Sequence, residues 1–459
     1  MTQENHIKIM EKLTQEDEVL VAFSLDGTLI RRGEFRRAIG ALQLRLRQTL
    51  GDKQKHLALC CDNAYSFAVA LYASIGLDQH IVMLPNSLSE TLEAHSNVFD
   101  AVISDQPLTF RKRPVIATNS TSLTEQKHNV ELDLSLSKSQ IHMFTSGSTS
   151  DPKKITKSFH QLLDEVLTLR TLFKDQLEGC HFIATVSHQH IYGTLFQVLL
   201  PIQSLQPFCC DQIEFQEQLS ALPEERYALI SSPAFLKCLQ PNDGTTSRLS
   251  CTFSSGGPLL LGDSQRASAI LGSAIYEILG STETGGIAWR QQLADDSAWR
   301  PLPQVKIDVS EDSTLVVSSP YAGGTQHIQD QIEILDDGSF LHKGRADRVV
   351  KIGEKRLSLL ELEAHAQSSP LVAEAAALTV IKRGRERVAL VVALTQNGNI
   401  LLAENGKHHC NEAIRLYLQQ RFDRVLLPRY FRYCTHLPIN KQGKRVERQL
   451  QALFIEENT

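Results

Sequence analysis

The first third of the chain has a pattern of apolar positions that predicts strands alternating with helices. Apolar residues recur at helical spacing between Phe35 and Leu46, and His56 to Cys61 then forms a short apolar run typical of a buried strand. The elements predicted next are a helix over Ala64–Ile75, a strand over Ile81–Pro85, a helix over Leu88–His95 and a strand over Ala101–Ser104. This alternation predicts an α/β fold with a mainly parallel sheet and helices on its faces.

The pattern changes twice in the rest of the chain. Further strands are predicted over Phe182–Val186, Tyr227–Ser231, Leu249–Ser254 and Ile275–Leu279. Short strands with glycine turns between Val305 and Leu341 then predict a β-rich subdomain. Dense charge from Gly344 to Lys351 breaks this pattern, and about a hundred residues with both helical and strand patterns follow it. We therefore predict a large N-terminal domain over residues 1–346 and a small α+β C-terminal domain over residues 347–459.

Composition narrows the classes of protein that the chain can belong to. At 459 residues it is long enough for two or more domains, and 42% hydrophobic with 22% charged residues is typical of a globular protein. A net charge of −5 gives no reason to expect a nucleic-acid partner. The charged first twenty residues do not resemble a signal peptide, and no apolar run is long enough to span a bilayer. Nine cysteines without a C-x-x-C pair predict a reducing cytoplasm.

One hydroxyl-rich segment, from Thr145 to Lys154, has the chemistry of a phosphate-binding loop. An apolar strand precedes it, and helical spacing follows it from Ser158 to Phe173. Backbone N–H groups, small hydroxyls and lysine ammonium groups can together surround a polyanion. The segment is not a Walker A loop, because Pro152 precedes Lys153 where that loop has glycine. A solvated turn that happens to be rich in serine and threonine is the alternative.

Two more predicted strands end in similar segments. Ser255-Gly256-Gly257-Pro258 follows one strand and demands a tight turn where the backbone can approach a ligand. Gly280-Ser281-Thr282-Glu283 follows the next strand, and a carboxylate among hydroxyls suits Mg²⁺, which prefers oxygen ligands and shares them with nucleotide phosphate. A surface turn would have a similar composition, but three such junctions in one chain favour a shared nucleotide site.

Two other interpretations fail on the residues themselves. Ser24-Leu25-Asp26-Gly27-Thr28 lacks the first aspartate of a haloacid-dehalogenase phosphatase, so Asp26-Gly27 is interpreted as a hairpin turn. His188 and His190 have no acidic or thiol partner at helical spacing, which favours a pocket wall over a metal site at His190.

In this order the motifs resemble the adenylate-forming ligase superfamily, which includes acyl-CoA synthetases, adenylation domains of peptide synthetases and luciferases. The resemblance covers the chain from about Val19 to its end, and it implies ATP and Mg²⁺ as cofactors. The residues it implies for nucleotide binding are Thr145, Ser146, Gly147, Ser148, Thr149 and Lys153 in the phosphate loop, Ser255, Gly256, Gly257 and Pro258, and Gly280 and Ser281. It also places Thr282 at the α-phosphate, Glu283 on Mg²⁺ and His190 beside the acyl pocket.

The later motifs complete this resemblance. Asp330 is similar to the family's ribose-binding aspartate, and Arg345 would contact ribose or phosphate. Asp347 matches the hinge of a mobile C-terminal lid domain, and Lys444 matches the lysine that stabilises negative charge during adenylation. The chain departs from the family pattern at four positions: Ser150, Lys154, Leu279 and Glu354. Ser150 and Lys154 alter the phosphate loop, Leu279 replaces an aromatic residue that stacks on adenine, and Glu354 replaces a glycine that approaches pantetheine.

The resemblance implies an ATP-dependent acid–thiol ligase. A carboxylate would attack the α-phosphorus, release pyrophosphate and form an acyl-adenylate, which then passes to a pantetheine thiol. We expect a hydrophobic or aromatic acid, with an acyl carrier protein favoured over CoA as acceptor. The alternatives are an amino-acid adenylation enzyme, although the segment from Phe182 to Tyr192 has no clear aspartate to hold an α-ammonium group, and a non-catalytic adenylate-binding or carrier-protein-interacting relative.

Overall fold

The structure, a computed structural model, describes most of the chain and divides it by contacts into two compact units. The described residues are 15–84, 86–118, 137–145, 153–241, 248–294, 297–311, 314–345, 348–352, 355–382, 385–438 and 447–454. The first unit contains Met1–Ile307 and Val317–Gln326, and the second contains Asp308–Val316 and His327–Thr459. The domain boundary predicted at Asp347 lies outside the described residues. None of the helices in the described ranges is long and apolar enough to cross a membrane.

The strands are numbered in chain order. They are β1 (Leu20–Phe23), β2 (Leu29–Arg31), β3 (His56–Cys60), β4 (His80–Met83), β5 (Ala101–Ser104), β6 (Val115–Ala117), β7 (Gln140–Thr145), β8 (Lys153–Ser158), β9 (His181–Ala184), β10 (Phe208–Gln212), β11 (Tyr227–Ser231), β12 (Leu249–Ser254), β13 (Ile275–Ser281), β14 (Gly285–Arg290), β15 (Arg300–Pro301), β16 (Lys306–Val309), β17 (Thr314–Ser319), β18 (Gly324–Ile334), β19 (Phe340–Arg345), β20 (Val349–Ile352), β21 (Lys355–Ser358), β22 (Val372–Lys382), β23 (Arg385–Leu394) and β24 (Tyr430–Cys434).

The helices are numbered in the same way. They are α1 (Arg32–Leu50), α2 (Ala64–Gly76), α3 (Ser89–Ala94), α4 (Phe159–Leu172), α5 (Lys174–Leu177), α6 (Ile191–Gly193), α7 (Leu200–Ser204), α8 (Gln216–Ser220), α9 (Pro233–Cys238), α10 (Leu261–Leu271), α11 (Leu359–Gln367), α12 (Gln396–Leu418) and α13 (Glu447–Ala452). A π-helical segment, Thr194–Leu199, joins α6 to α7.

The first unit contains two sheets that are parallel at their centres and antiparallel at an edge. One has the strand order β15-β14-β13-β12-β11-β9-β10-β1-β2, and its neighbours from β13 to β1 run parallel. The other has the order β6-β5-β3-β4-β7-β8 and is parallel except for the last pair. The predicted α/β class with mainly parallel sheets is therefore confirmed, and so is the Asp26-Gly27 hairpin, since β1 and β2 pair antiparallel.

The strands and helices of these sheets are specified by local sequence. The strands β11 and β12 are buried along almost their whole length, as expected for central parallel strands. Helix α4 begins where predicted because Ser158 caps it: the Gln161 N–H donates to Ser158 Oγ at 3.2 Å and the Ser158 N–H donates to Gln161 Oε1 at 2.8 Å. The short edge strand β6 comes from the segment between Leu108 and Lys138, whose residues 119–136 lie outside the described ranges.

The β-rich subdomain and the α+β domain predicted for the rest of the chain are also found. Strands β16 to β19 are neighbours in that order in a four-stranded sheet. In the second unit, β22, β23 and β24 form a three-stranded sheet whose one face packs with Leu362, Ile414 and other buried apolar residues of α11 and α12. Its other face packs with Leu450 and Phe454, at the end of the described chain.

Gly193 is packed so closely that a larger residue cannot replace it without a backbone shift. A Cβ atom there would lie 2.1 Å from the Ser187 carbonyl oxygen, whereas a Cβ at Gly262, in α10, would meet open space. We expect Gly193→Ala to lower the free energy of unfolding by about 1–3 kcal/mol, because overpacking forces a rearrangement. Gly262→Ala, the matched control, should cause no loss, because alanine is favoured over glycine in a helix. Equal urea midpoints for the two variants would contradict this prediction.

Candidate functional site

Three of the sequence-predicted segments lie at one edge of the larger sheet. Strands β9, β11, β12 and β13 run parallel side by side, so their carboxyl ends lie at the same edge. His190 follows β9, Ser255 follows β12, and Ser281 ends β13. The Ser255 hydroxyl donates to the Ile278 carbonyl at 2.8 Å and joins two of these segments directly. This edge is where open α/β sheets bind ligands.

The segment after β12 is an exposed turn. Gly256, Gly257 and Pro258 are all exposed, and Gly256 has a φ of +91°, a left-handed conformation that favours glycine. A Cβ at Gly257 would lie 3.9 Å from Pro233. The segment is therefore a turn with an exposed backbone, and a tight turn here is what the sequence predicted.

The acidic segment is the turn of a β-hairpin, here called the acidic hairpin (β13, β14 and the residues between them). Gly280 pairs with Gly286 and Ser281 pairs with Gly285. Inside the turn, the Ser281 N–H donates to the Thr284 hydroxyl at 3.1 Å and the Thr284 N–H donates to Ser281 Oγ at 3.2 Å. Thr282 and Glu283 are half-buried at the tip of the hairpin. The sequence predicted the preceding strand and the turn, but not the return strand.

The predicted phosphate loop is also the turn of a hairpin, here called the phosphate hairpin (β7, β8 and the residues between them). Thr145 pairs with Lys153, and the two strands run antiparallel. Ser146, Gly147, Ser148 and Thr149 lie outside the described residues. The sequence predicted the strand before the loop and the helix after it, but it missed β8. The structure therefore brings the two ends of the loop to adjacent positions.

The exposed Lys154 lies on the face of the phosphate hairpin that carries His142. Lys154 pairs with Phe144, which shares a strand face with His142. The His142 ring stacks on His56 with centroids 5.2 Å apart, and His80 lies 4.8 Å from His56. Burial, followed by the charges of Lys154, His56 and His80, lowers the pKa of His142 to about 4. In the described part of the chain no group of three His, Cys, Asp or Glu residues could hold a metal ion.

Lys157, which the sequence did not single out, joins the two hairpins. It lies on β8 and is only 2% exposed. Its ammonium group donates to the Glu283 carbonyl at 3.2 Å and also to the Tyr321 carbonyl. Burial lowers the pKa of Lys157, while Glu165 and Glu283 oppose that shift. A buried lysine beside a predicted metal carboxylate shows that the phosphate and acidic hairpins are neighbours.

Glu165, on α4, is a second residue that sequence reasoning missed. It is 2% exposed, and its Oε1 accepts from the Gly286 N–H at 2.6 Å. Its Oε2 has no hydrogen-bond partner among the described residues. Burial raises the pKa of Glu165 to about 7, although Lys157 and the Gly286 N–H oppose the shift. The sequence did carry a signal, because Glu165 interrupts the apolar face formed by Leu162 and Leu169.

Lys157 connects the smaller sheet to the larger one, and His188 and Gln189 form a second connection between these sheets. His188 Nε2 donates to the Cys61 carbonyl at 2.8 Å, and the Gln189 amide donates to the same carbonyl at 2.9 Å. Burial lowers the pKa of His188 to about 4, so this imidazole is neutral near neutral pH. His190 caps α6, and its carbonyl accepts from the Thr194 N–H at 2.8 Å.

The predicted ribose residues lie in or beside one strand pair of the second unit. Asp330 on β18 pairs with Arg345 on β19. Asp330 is buried, and its Oδ2 lies 3.2 Å from His342 Nε2. These two residues have opposite charges and lie fifteen positions apart in the chain, and the strand pair brings them to adjacent backbone positions. The remaining predicted residues of this unit, Asp347 and Lys444, lie outside the described residues.

Comparison with known proteins gives a family match and several full-length structural matches. A family model described as AMP-binding enzyme matches residues 19–328. Among curated proteins, the chain is 25% identical over 313 residues to a 4-coumarate–CoA ligase of Cereibacter sphaeroides, covering 67% of this chain and 70% of that protein. It is 24% identical over 352 residues to a D-alanine–D-alanyl carrier protein ligase of Staphylococcus epidermidis, covering 66% and 68%.

The solved structures show the same fold over nearly the whole length. ATP-bound MatB from Rhodopseudomonas palustris matches with a TM-score of 0.82 and 17% identity, covering 98% of this chain and 99% of that one. An o-succinylbenzoate CoA synthetase from Bacillus subtilis, in complex with AMP, matches with a TM-score of 0.78 and 17% identity, covering 96% and 98%.

The raised pKa of Glu165 predicts an unusual dependence of stability on pH. Because the folded carboxyl keeps a proton that the unfolded one releases, its contribution is full below about pH 4.5 and is lost as pH rises through about 7. We expect Glu165→Gln to gain stability relative to wild type by up to about 3 kcal/mol between pH 4.5 and 7.5.

The measurement is urea unfolding of both proteins across this pH range. The neighbouring titratable groups are Lys157 and Tyr321, and burial raises the pKa of the Tyr321 phenol to about 12, so it stays neutral throughout. The exposed Glu178, changed to Gln, controls for the general loss of a negative charge. A difference between wild type and Glu165→Gln that does not vary with pH would contradict the prediction.

Proposed function

The chain belongs to the AMP-binding enzyme family, and we propose that it transfers the AMP part of ATP to a carboxylic acid with release of pyrophosphate, and then passes the acyl group to a thiol with release of AMP. The observation that carries this proposal is the contact between the two hairpins. Lys157, four residues after Lys153, donates to the carbonyl of Glu283. The segment proposed to bind phosphate is therefore held against the acidic segment, which follows β13.

The chemistry requires groups that neutralise charge on phosphate oxygens. As the acid attacks the α-phosphorus, negative charge develops there and on the departing pyrophosphate. We assign the β- and γ-phosphates to the phosphate hairpin, with Thr145 and Lys153 at its described ends, and the α-phosphate to Thr282. The turn of Ser255, Gly256, Gly257 and Pro258, with Gly280 and Ser281, would complete the nucleotide-binding edge, and His190 would border the acid.

Glu283 fits the predicted metal. It is one half-buried carboxylate in a turn that also carries the hydroxyls of Ser281, Thr282 and Thr284, and Mg²⁺ prefers oxygen ligands that it can share with nucleotide phosphate. When bound, Mg²⁺ supplies positive charge to the phosphate oxygens. The residues of this chain hold Glu283 in place and orient the nucleotide.

The second unit carries further residues that we propose for the nucleotide. Asp330 and Arg345, which pair across two strands, are proposed to bind the ribose hydroxyls and the neighbouring phosphate. We propose Lys444 as the cation that stabilises the adenylation transition state and Asp347 as the hinge of a lid that excludes water from the acyl-adenylate.

The acid and the thiol acceptor are the remaining parts of the proposal. We propose a hydrophobic or aromatic acid, and a carrier-protein pantetheine in preference to CoA. Relatives of both acceptor types occur, since one is a CoA ligase and another is a carrier-protein ligase. The compact N-terminal half of the chain is the feature that favours the carrier protein.

A panel of acids, scored by exchange of pyrophosphate into ATP, tests the reaction and the acid together. We expect exchange with hydrophobic or aromatic acids and little with amino acids. Thioester formation is then measured with CoA and with phosphopantetheinylated carrier protein. No exchange with any acid would contradict the enzyme proposal. An amino acid as the best substrate would favour amino-acid adenylation, and a thioester formed only with CoA would reverse the acceptor assignment.

The two adjacent lysines provide a matched test of the phosphate assignment. We expect Lys153→Ala to lower the rate of pyrophosphate exchange by about 10²–10³-fold, the loss typical of removing one preorganised charge-stabilising group. Lys154→Ala should have little effect, because Lys154 lies on the His142 face of the hairpin. A larger loss for Lys154→Ala than for Lys153→Ala would exchange the two assignments.

A further inference from the structure

Two buried, ionisable side chains hold the acidic hairpin from opposite ends of its turn. Lys157 donates to the carbonyl of Glu283, and Glu165 accepts from the N–H of Gly286. Neither the ammonium group nor the carboxyl group is open to solvent, since both residues are only 2% exposed. A buried polar group is costly unless it is hydrogen-bonded, so these contacts restrict the backbone on both sides of Thr284.

The two glycines of the acidic hairpin leave space for Glu165. A Cβ at Gly285 would lie 2.5 Å from Glu165 Oε2, and one at Gly286 would lie 3.2 Å from Oε1. Gly285 also has a φ of +71°, which favours glycine. This glycine pair is therefore needed for the close approach of a carboxyl group from α4, on the side of the hairpin that faces the protein interior.

Both side chains come from the chain segment that carries the predicted phosphate loop. Lys157 lies on β8, the return strand of the phosphate hairpin, and Glu165 lies two turns into the helix that follows. Lys157 also donates to the carbonyl of Tyr321, so the same ammonium group fixes a third segment of the first unit. A movement of the phosphate hairpin would consequently be transmitted to the backbone of Glu283.

We propose that Lys157 and Glu165 are positioning residues that hold Glu283 at a fixed place relative to the phosphate hairpin. They touch the backbone of the acidic hairpin and act through it, so that the Glu283 carboxylate and the phosphate loop meet one and the same magnesium–ATP complex. This inference rests on the proposed function, because it assumes that Glu283 binds the metal of that complex.

The first measurement uses the protein without ligand. Hydrogen exchange of the segment containing Gly286 is compared in wild type, Glu165→Ala, Glu165→Gln and Leu163→Ala. Glu165→Ala removes the acceptor of the Gly286 N–H and should speed exchange there, whereas Glu165→Gln keeps a carbonyl acceptor and should restore most of the protection. Leu163, a buried residue of the same helix, controls for general loss of packing and should leave Gly286 protected.

The second measurement is calorimetric binding of ATP, once with Mg²⁺ and once with EDTA. We expect Glu165→Ala to weaken binding about 10-fold with Mg²⁺, the lower end of the effect of residues that orient a metal ligand. Binding in EDTA should be unchanged, because the phosphate hairpin itself is intact. Lys157→Met should act in the same direction, and Leu163→Ala should change neither affinity.

Different failures lead to different conclusions. Unchanged exchange at Gly286 in Glu165→Ala would overturn the inference, and so would faster exchange with an unaltered magnesium-dependent affinity. Equal weakening with Mg²⁺ and with EDTA would also overturn it, because the effect would then not pass through Glu283. If wild type bound no ATP under either condition, the proposed function would fail and the inference would fail with it.

Discussion

A buried ammonium group must find hydrogen-bond acceptors, and the way Lys157 meets this constraint organises the first unit. Its acceptors are the carbonyls of Glu283 and Tyr321, more than a hundred residues away in the chain. Each of these segments belongs to a different part of the structure, so one side chain sets their relative positions. With Glu165 bound to the Gly286 N–H, the acidic hairpin is held from two sides, and the carboxyl edge of the larger sheet becomes a defined surface.

Much of the fold could be predicted because its elements depend on local sequence. The predicted strands Tyr227–Ser231 and Leu249–Ser254 agree with β11 and β12, since short apolar runs between polar segments allow few alternatives. The match of residues 19–328 to the AMP-binding enzyme family confirms the resemblance inferred from the order of the motifs. Strand pairing, in contrast, could not be predicted from local sequence. Nothing in the residues after Pro152 indicates that they return antiparallel beside β7, and β8 was therefore missed.

The sequence singled out the motif residues of the candidate site and not the buried side chains that support them. Glu283 stands among hydroxyls that suggest a metal site, and the phosphate role of Thr282 and the ribose role of Asp330 are implied by the family resemblance. Lys157 and Glu165 have no such motif, and their role depends on which backbone groups the fold brings within hydrogen-bond distance. Glu165 could have been found as a charge on an apolar helix face, but its partner, the Gly286 N–H, could not, because that pairing requires the tertiary structure.

The pairing of Thr145 with Lys153 has a consequence for how this protein can diverge. The two ends of the phosphate loop are fixed to each other by the strand ladder, so changes between them need not displace either end. The sequence at Ser150, where the chain departs from the pattern that it resembles, lies between these two ends. A hairpin thus allows new sequence between two paired positions without a new scaffold.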